Sequence, residues 1–295
     1  MAGSATVRGV YVPVVTPFDV SGNVAVDALE NLAGECVEAG ATGIVALSTT
    51  GEATSLDERE QTEVVTACAR VCADRGASLI VGAGTNDTRT TIARHEALAQ
   101  HPGVLASLAV VPYYVRPSEA AIVAHFQAVA ARSPVPVIVY NIPYRTGRGL
   151  GAAALLDLAA TDNVVGVKQS VGGLDTDTLT LLADRPAGFS VLGGDDPFLF
   201  PLCLMGGDGT ICASAHVCTE RYVAMIGDGL EGRLDEGRKR SEALLPLSLA
   251  LFAEPSPAVI KGVLHSEGRI PTPDVRMPLA NASVAAVQDA LRART

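Results

Sequence analysis

Lys168 sits in the stretch "VVGVKQS", residues 164–170, at the end of a β-branched apolar run. Lysine is strongly hydrated and is almost never fully buried without a partner. A free lysine, with a pKa near ~10.4, is neutral in only about 0.04% of molecules at pH 7. Apolar walls disfavour the ammonium and lower that pKa by about three units at a cost of roughly 4 kcal/mol. The amine that results is a nucleophile suited to forming a Schiff base with a carbonyl compound. The other reading pairs Lys168 with a carboxylate elsewhere in the chain, or leaves it in water. The residue alone does not choose between them.

Its companions narrow the chemistry. "STTGE", residues 48–52, combines hydroxyls with a glycine-permitted bend, an arrangement that offers N–H and O–H donors to a carboxylate. An ordinary βα turn has the same composition. Tyr140 ends the apolar run "VPVIVYN", where a phenol relays protons or simply packs. Arg145 follows in "YNIPYRTG" and suits a bidentate contact with a carboxylate; a loop arginine is also commonly a solvated charge. These strand ends carry no histidine or carboxylate cluster of metal-ligand type. Cys212, His216 and Cys218 match no familiar zinc spacing, so no metal and no cofactor is expected. All six cysteines read as reduced core residues.

Residues scattered over so much chain need a scaffold that gathers strand ends. Eight short apolar runs begin at Gly9, Gly43, Ser78, Val104, Val135, Val164, Ser190 and Gly209. They are near-continuous rather than alternating, as in parallel strands covered on both faces. Helical patterns lie between them. Val26, Leu29, Ala33, Cys36 and Val37 share one face, as do Val64, Cys68, Val71 and Cys72, and Ser55 with Glu58 forms a capping-box pattern. Helices are expected near 219–230, 233–251, 256–267 and 283–293. This order predicts an α/β fold, a (β/α)8 TIM barrel with a C-terminal helical extension. The expected division is a barrel over residues 1–225 and a helical region over 226–295. An open doubly wound sheet is the rival, weakened by the lack of a G-x-G-x-x-G after the first strand.

Bulk properties exclude other classes. The 295 residues are 48% hydrophobic and carry a net charge of −10, so neither disorder nor nucleic-acid binding fits. No apolar run is long enough for a bilayer, and the first residues, "MAGSATVRGVYVP", do not read as a signal peptide. A cytoplasmic protein acting on small molecules is the expectation.

"STTGEATSL", "VVPYYVRP", "YNIPYRTG", the strand-six lysine, "GGDDPFLFPL…GGDGTI" and "LFAEPSPAVIKGVL" occur in order from about Gly9 to Pro278. Together they resemble the dihydrodipicolinate synthase family, within the N-acetylneuraminate lyase superfamily of class I pyruvate aldolases. The resemblance implies a TIM barrel, a homotetramer built as a dimer of dimers, and a pyruvate Schiff base on Lys168. It implies that Thr49 and Thr50 hold the pyruvate carboxylate and that Tyr140 sits over the imine. Thr49 would link Tyr140 to Tyr114, which would reach into a neighbouring subunit. Arg145 would receive the carboxylate of aspartate semialdehyde, and Gly194 and Ile211 would line the pyruvate pocket. Family synthases commonly follow the lysine with glutamate and alanine, whereas Gln169 and Ser170 follow here, and Tyr144 is bulkier than usual. A lyase of sialic acid or 2-keto-3-deoxy sugar acids is the alternative activity, and a non-catalytic barrel that binds a 2-oxo acid is the alternative class.

Overall fold

The computed structural model describes residues 7–294. The first six residues, part of the leader reading above, lie outside the described residues. The eight apolar runs form strands β1 (Gly9–Val12), β2 (Gly43–Ala46), β3 (Ser78–Gly82), β4 (Val104–Val110), β5 (Val137–Asn141), β6 (Val164–Gln169), β7 (Ser190–Gly193) and β8 (Gly209–Ile211). Each pairs in parallel with the next, and β1 pairs with β8 through Gly9–Gly209, Val10–Thr210 and Tyr11–Ile211, which closes the barrel. The rival open sheet is excluded by that last pairing.

Side chains alternate across each strand with a period of two. On β5, Ile138 and Tyr140 point into the barrel with Tyr11, Val45, Ile80, Leu108 and Leu192. Val137 and Val139 point outward against Ile122, Phe126 and Leu155. Both faces are therefore apolar, which is why these strands read as unbroken hydrophobic runs.

The helix Glu58–Arg75 is capped two residues later than the Ser55–Glu58 pattern implies. Asp57 is the N-cap: its carboxylate accepts from the Glu60 N–H, and the Glu60 side chain accepts from the Asp57 N–H. Residues 53–55 instead form a separate tight turn. The C-terminal helices run Thr219–Leu230, Leu234–Leu251, Ala258–Ser266 and Val284–Ala293. The division expected at residue 225 falls inside the first of them.

Candidate active site

Tyr140 on β5 and Lys168 on β6 are register partners at the carboxyl ends of their strands. Lys168 is 5% exposed, and its Nζ lies 4.2 Å from the centroid of the Tyr140 ring. Among the described residues it forms no ion pair. Burial lowers its pKa to about 8, opposed by the Asp196 and Asp195 carboxylates, which favour the ammonium. The amine is thus available to a carbonyl carbon near neutral pH. Burial acts in the opposite sense on Tyr140, pushing its phenol up to about 12 against the pull of the Arg145 charge and the nearby Ser170 and Thr49 hydroxyls. Tyr140 therefore holds its proton beside an amine that gives its proton up readily.

The two residues after the lysine face opposite ways. Gln169 points outward: its Oε1 accepts from Asn141 Nδ2 at 3.0 Å, and its Nε2 donates to Thr178 Oγ1 at 3.0 Å. Asn141 in turn exchanges bonds with the backbone of Leu150. Gln169 thus ties β6 to β5 and to the outer helical layer, and does not shape the site. Ser170 returns to the Lys168 side, fully buried, with its hydroxyl near the Tyr140 phenol. The sequence marks Ser170 only as a departure from the family pattern, although its two-residue spacing from Lys168 was the signal that it shares the lysine's side.

Gly194 leaves the room these groups use. A Cβ there would fall 2.0 Å from Ser170 Oγ and 2.5 Å from Lys168 Cε. Next to it, Asp195 accepts from the Gly172 N–H at 2.6 Å. Asp196 is buried, and its Oδ2 accepts from the Ser214 N–H at 2.8 Å while its Oδ1 has no partner. Burial raises the pKa of both carboxyls.

The "STTGE" turn lies above the end of β2. Thr16, after β1, donates its hydroxyl to the Gly51 carbonyl at 2.7 Å. Thr50 is buried and Thr49 is exposed. Thr49, Tyr140 and Arg145 line one cavity of about 350 Å³, together with Ser48, Glu52, Tyr113, Ile142 and, from the C-terminal region, Ser256 and Leu279. Lys168 lies beneath Tyr140 rather than in that wall, Gly194 lies beside it, and Ile211 is buried in the barrel interior. Arg145 forms no ion pair among the described residues; its guanidinium carbon sits 5.3 Å from the Tyr144 ring centroid. Arg94 also reaches this cavity and was not anticipated.

Thr50, which is buried, does not line the cavity, and Tyr114 stands apart from it on the surface. Tyr114 is 87% exposed with φ +71°, whereas its neighbour Tyr113 lines the wall. Its loop is pinned by Arg116, whose Nε donates to the Gly147 carbonyl at 3.1 Å. His216 spends both ring nitrogens inside the chain, Nε2 accepting from the Val15 N–H and Nδ1 donating to the Ala213 carbonyl. Burial holds its pKa down at about 4. The six cysteines are free thiols.

The sequence model of the dihydrodipicolinate synthetase family matches residues 6–293. The 4-hydroxy-tetrahydrodipicolinate synthase of Moorella thermoacetica is 38% identical over 269 residues, covering 91% of each chain. Among solved structures, the chloride-inhibited dihydrodipicolinate synthase of Acinetobacter baumannii, complexed with pyruvate, superposes with a TM-score of 0.93 at 31% identity, over 98% of this chain and 99% of that one. A monomeric dihydrodipicolinate synthase variant gives a TM-score of 0.93 at 29% identity, over 99% of this chain and 97% of the other. With the barrel, the buried lysine–tyrosine pair and a match along nearly its full length, this chain belongs to the dihydrodipicolinate synthetase family.

Proposed function

We propose that this chain condenses pyruvate with L-aspartate 4-semialdehyde to give 4-hydroxy-tetrahydrodipicolinate, a step of lysine and diaminopimelate synthesis. The observation that carries the reading is Lys168, buried, without an ion-pair partner among the described residues and against the face of Tyr140. Its neutral amine attacks the pyruvate keto carbon and forms a carbinolamine. Loss of water leaves the Schiff base. The Tyr140 phenolate left by that loss takes a proton from the pyruvate methyl carbon, and the enamine so formed attacks the aldehyde carbon, whose oxygen receives the proton back from Tyr140. The amino group of the second substrate displaces the Lys168 amine from the imine carbon, which closes the ring and frees the enzyme. One water leaves in the whole reaction.

Tyr140, protonated at neutral pH, supplies the proton that the carbinolamine oxygen needs to leave as water. Thr49 and Thr50 hold the pyruvate carboxylate, with Gly194 and Ile211 bounding that end. Thr49 connects Tyr140 to a Tyr114 from a neighbouring subunit in a homotetramer, which gives the exposed Tyr114 its role. Arg145, which lines the same cavity and forms no ion pair among the described residues, takes the carboxylate of the aldehyde. No cofactor enters these steps. Among the described residues no helix is long and apolar enough to cross a membrane. The setting proposed is the cytoplasm, with small molecules as substrates.

The test is a panel of aldehydes with pyruvate as donor, alongside N-acetylneuraminate and 2-keto-3-deoxy sugar acids as substrates for cleavage. Turnover of aspartate semialdehyde at least 100-fold above the rest is the expected result. Preferential cleavage of a sugar acid replaces this reading with a lyase of the same superfamily.

A further inference from the structure

We propose that Glu52 and Lys261 form a buried clamp that holds the "STTG" turn in its carboxylate-binding shape, making the C-terminal helical region a positioning part of the pyruvate site. Glu52 ends the turn in the left-handed region, φ +53°, and is 3% exposed. Its Oε1 accepts from Lys261 Nζ at 2.8 Å, and Lys261, on the helix Ala258–Ser266, is fully buried. Its Oε2 accepts from the Arg276 N–H at 2.8 Å. The Lys261 nitrogen and the Arg276 guanidinium lie 4.1 and 4.4 Å from the centroid of the same Phe18 ring.

Arg276 extends the hold along the chain. Its two terminal nitrogens each lie 2.6 Å from an oxygen of Glu60, and one also donates to the Ser55 carbonyl at 2.7 Å. The turn is thus fixed at its end by Lys261, at the following helix cap by Arg276, and by Thr16 from the loop after β1.

A buried ion pair is a weak source of stability, because the desolvation of two charges offsets most of their attraction. An apolar pair of similar volume would fill the space as well. What an apolar pair would not do is fix, to a fraction of an ångström, a non-glycine residue in a sparsely populated backbone conformation. Glu52 is three residues from Thr49 and two from Thr50, so its carboxylate sets where their hydroxyls and N–H groups point. Neither Glu52 nor Lys261 needs to touch substrate for this; they act through the threonines.

The inference rests on the reading that Thr49 and Thr50 hold the pyruvate carboxylate, and its test separates the two. Borohydride trapping at Lys168 is compared for pyruvate and for pyruvamide, whose neutral amide replaces the carboxylate. The ratio of their half-saturating concentrations measures the carboxylate cradle alone. Wild type should prefer pyruvate, and Thr50→Val should reduce the preference about 10-fold or more, the scale for loss of a hydrogen bond to a charged group. Glu52→Gln/Lys261→Met should reduce it to a similar degree, while trapping at saturating pyruvamide stays within about 3-fold of wild type. If this double variant does not fold, Lys261→Gln, which keeps a donor for Glu52 without the charge, is read by the same ratio. Loss of preference in Thr50→Val but not in the clamp variants overturns the clamp. Equal loss of both ligands in the clamp variants also overturns it, since that is general damage to the site. A wild-type protein with no preference for pyruvate overturns the cradle reading itself.

Discussion

Lys168 and Tyr140 are register partners on adjacent strands, with the lysine nitrogen 4.2 Å from the centre of the tyrosine ring. Burial moves their pKa values in opposite directions, to about 8 and about 12. At neutral pH this leaves an amine that readily becomes neutral beside a phenol that stays protonated.

The lysine shift sets a pH dependence. The nucleophile is the deprotonated amine, so its fraction rises with pH through the value of about 8 and then levels off. The initial rate of borohydride-trapped pyruvate adduct, at fixed pyruvate, should rise about 10-fold from pH 6 to pH 7 and flatten above pH 8.5. Peptide mapping should place one adduct per chain on Lys168, and none should form in Lys168→Ala. A rate that keeps climbing to pH 10.5 would mean that Lys168 titrates as an ordinary solvated lysine.

Gly194→Ala should cripple imine formation while the fold survives. The new methyl group would overlap both Ser170 Oγ and Lys168 Cε, and a displacement of the nucleophile by about 1 Å costs on the order of 100-fold in rate. Adding Ser170→Gly removes the nearer obstacle and should restore part of the loss. Trapping kinetics of the single and double variants check this, with circular dichroism as the control. A single variant with normal trapping would show that Gly194 does not keep this space open.

Arg145→Ala should lower kcat/KM for aspartate semialdehyde by about 10- to 150-fold, the range for losing a hydrogen bond to a charged group worth roughly 1.5–3 kcal/mol. Pyruvate trapping should be little changed, because the two carboxylates are proposed to have separate anchors. Steady-state kinetics with each substrate varied in turn decide the point. Joint loss of both functions would make Arg145 a support of the whole site rather than a selector of the aldehyde.

Tyr114, exposed and outside its own cavity, should act on a neighbouring copy. Mixing Tyr114→Phe chains with Lys168→Ala chains, each inactive alone, should recover activity in hybrid oligomers. Sedimentation of the wild-type chain should show a tetramer. Hybrids of verified composition that stay inactive would place Tyr114 outside the relay.

The strand positions and the lysine at the end of β6 were legible in the chain because strands covered on both faces leave continuous apolar runs, and a cation at such an end breaks the pattern. The family motifs were legible because their order and spacing survive as text. Two matches to the capping-box pattern overlap near the start of the second barrel helix, Ser55 with Glu58 and Asp57 with Glu60, and only the backbone path through the preceding tight turn selects the latter. The side on which Gln169 and Ser170 lie followed from strand alternation once the orientation of Lys168 was known, and that orientation is set by barrel closure. Contacts such as Glu52 with Lys261 join residues 209 positions apart. No local pattern encodes such a pair, because it exists only where the C-terminal helices fold back over the end of β2 and exclude water from both charges.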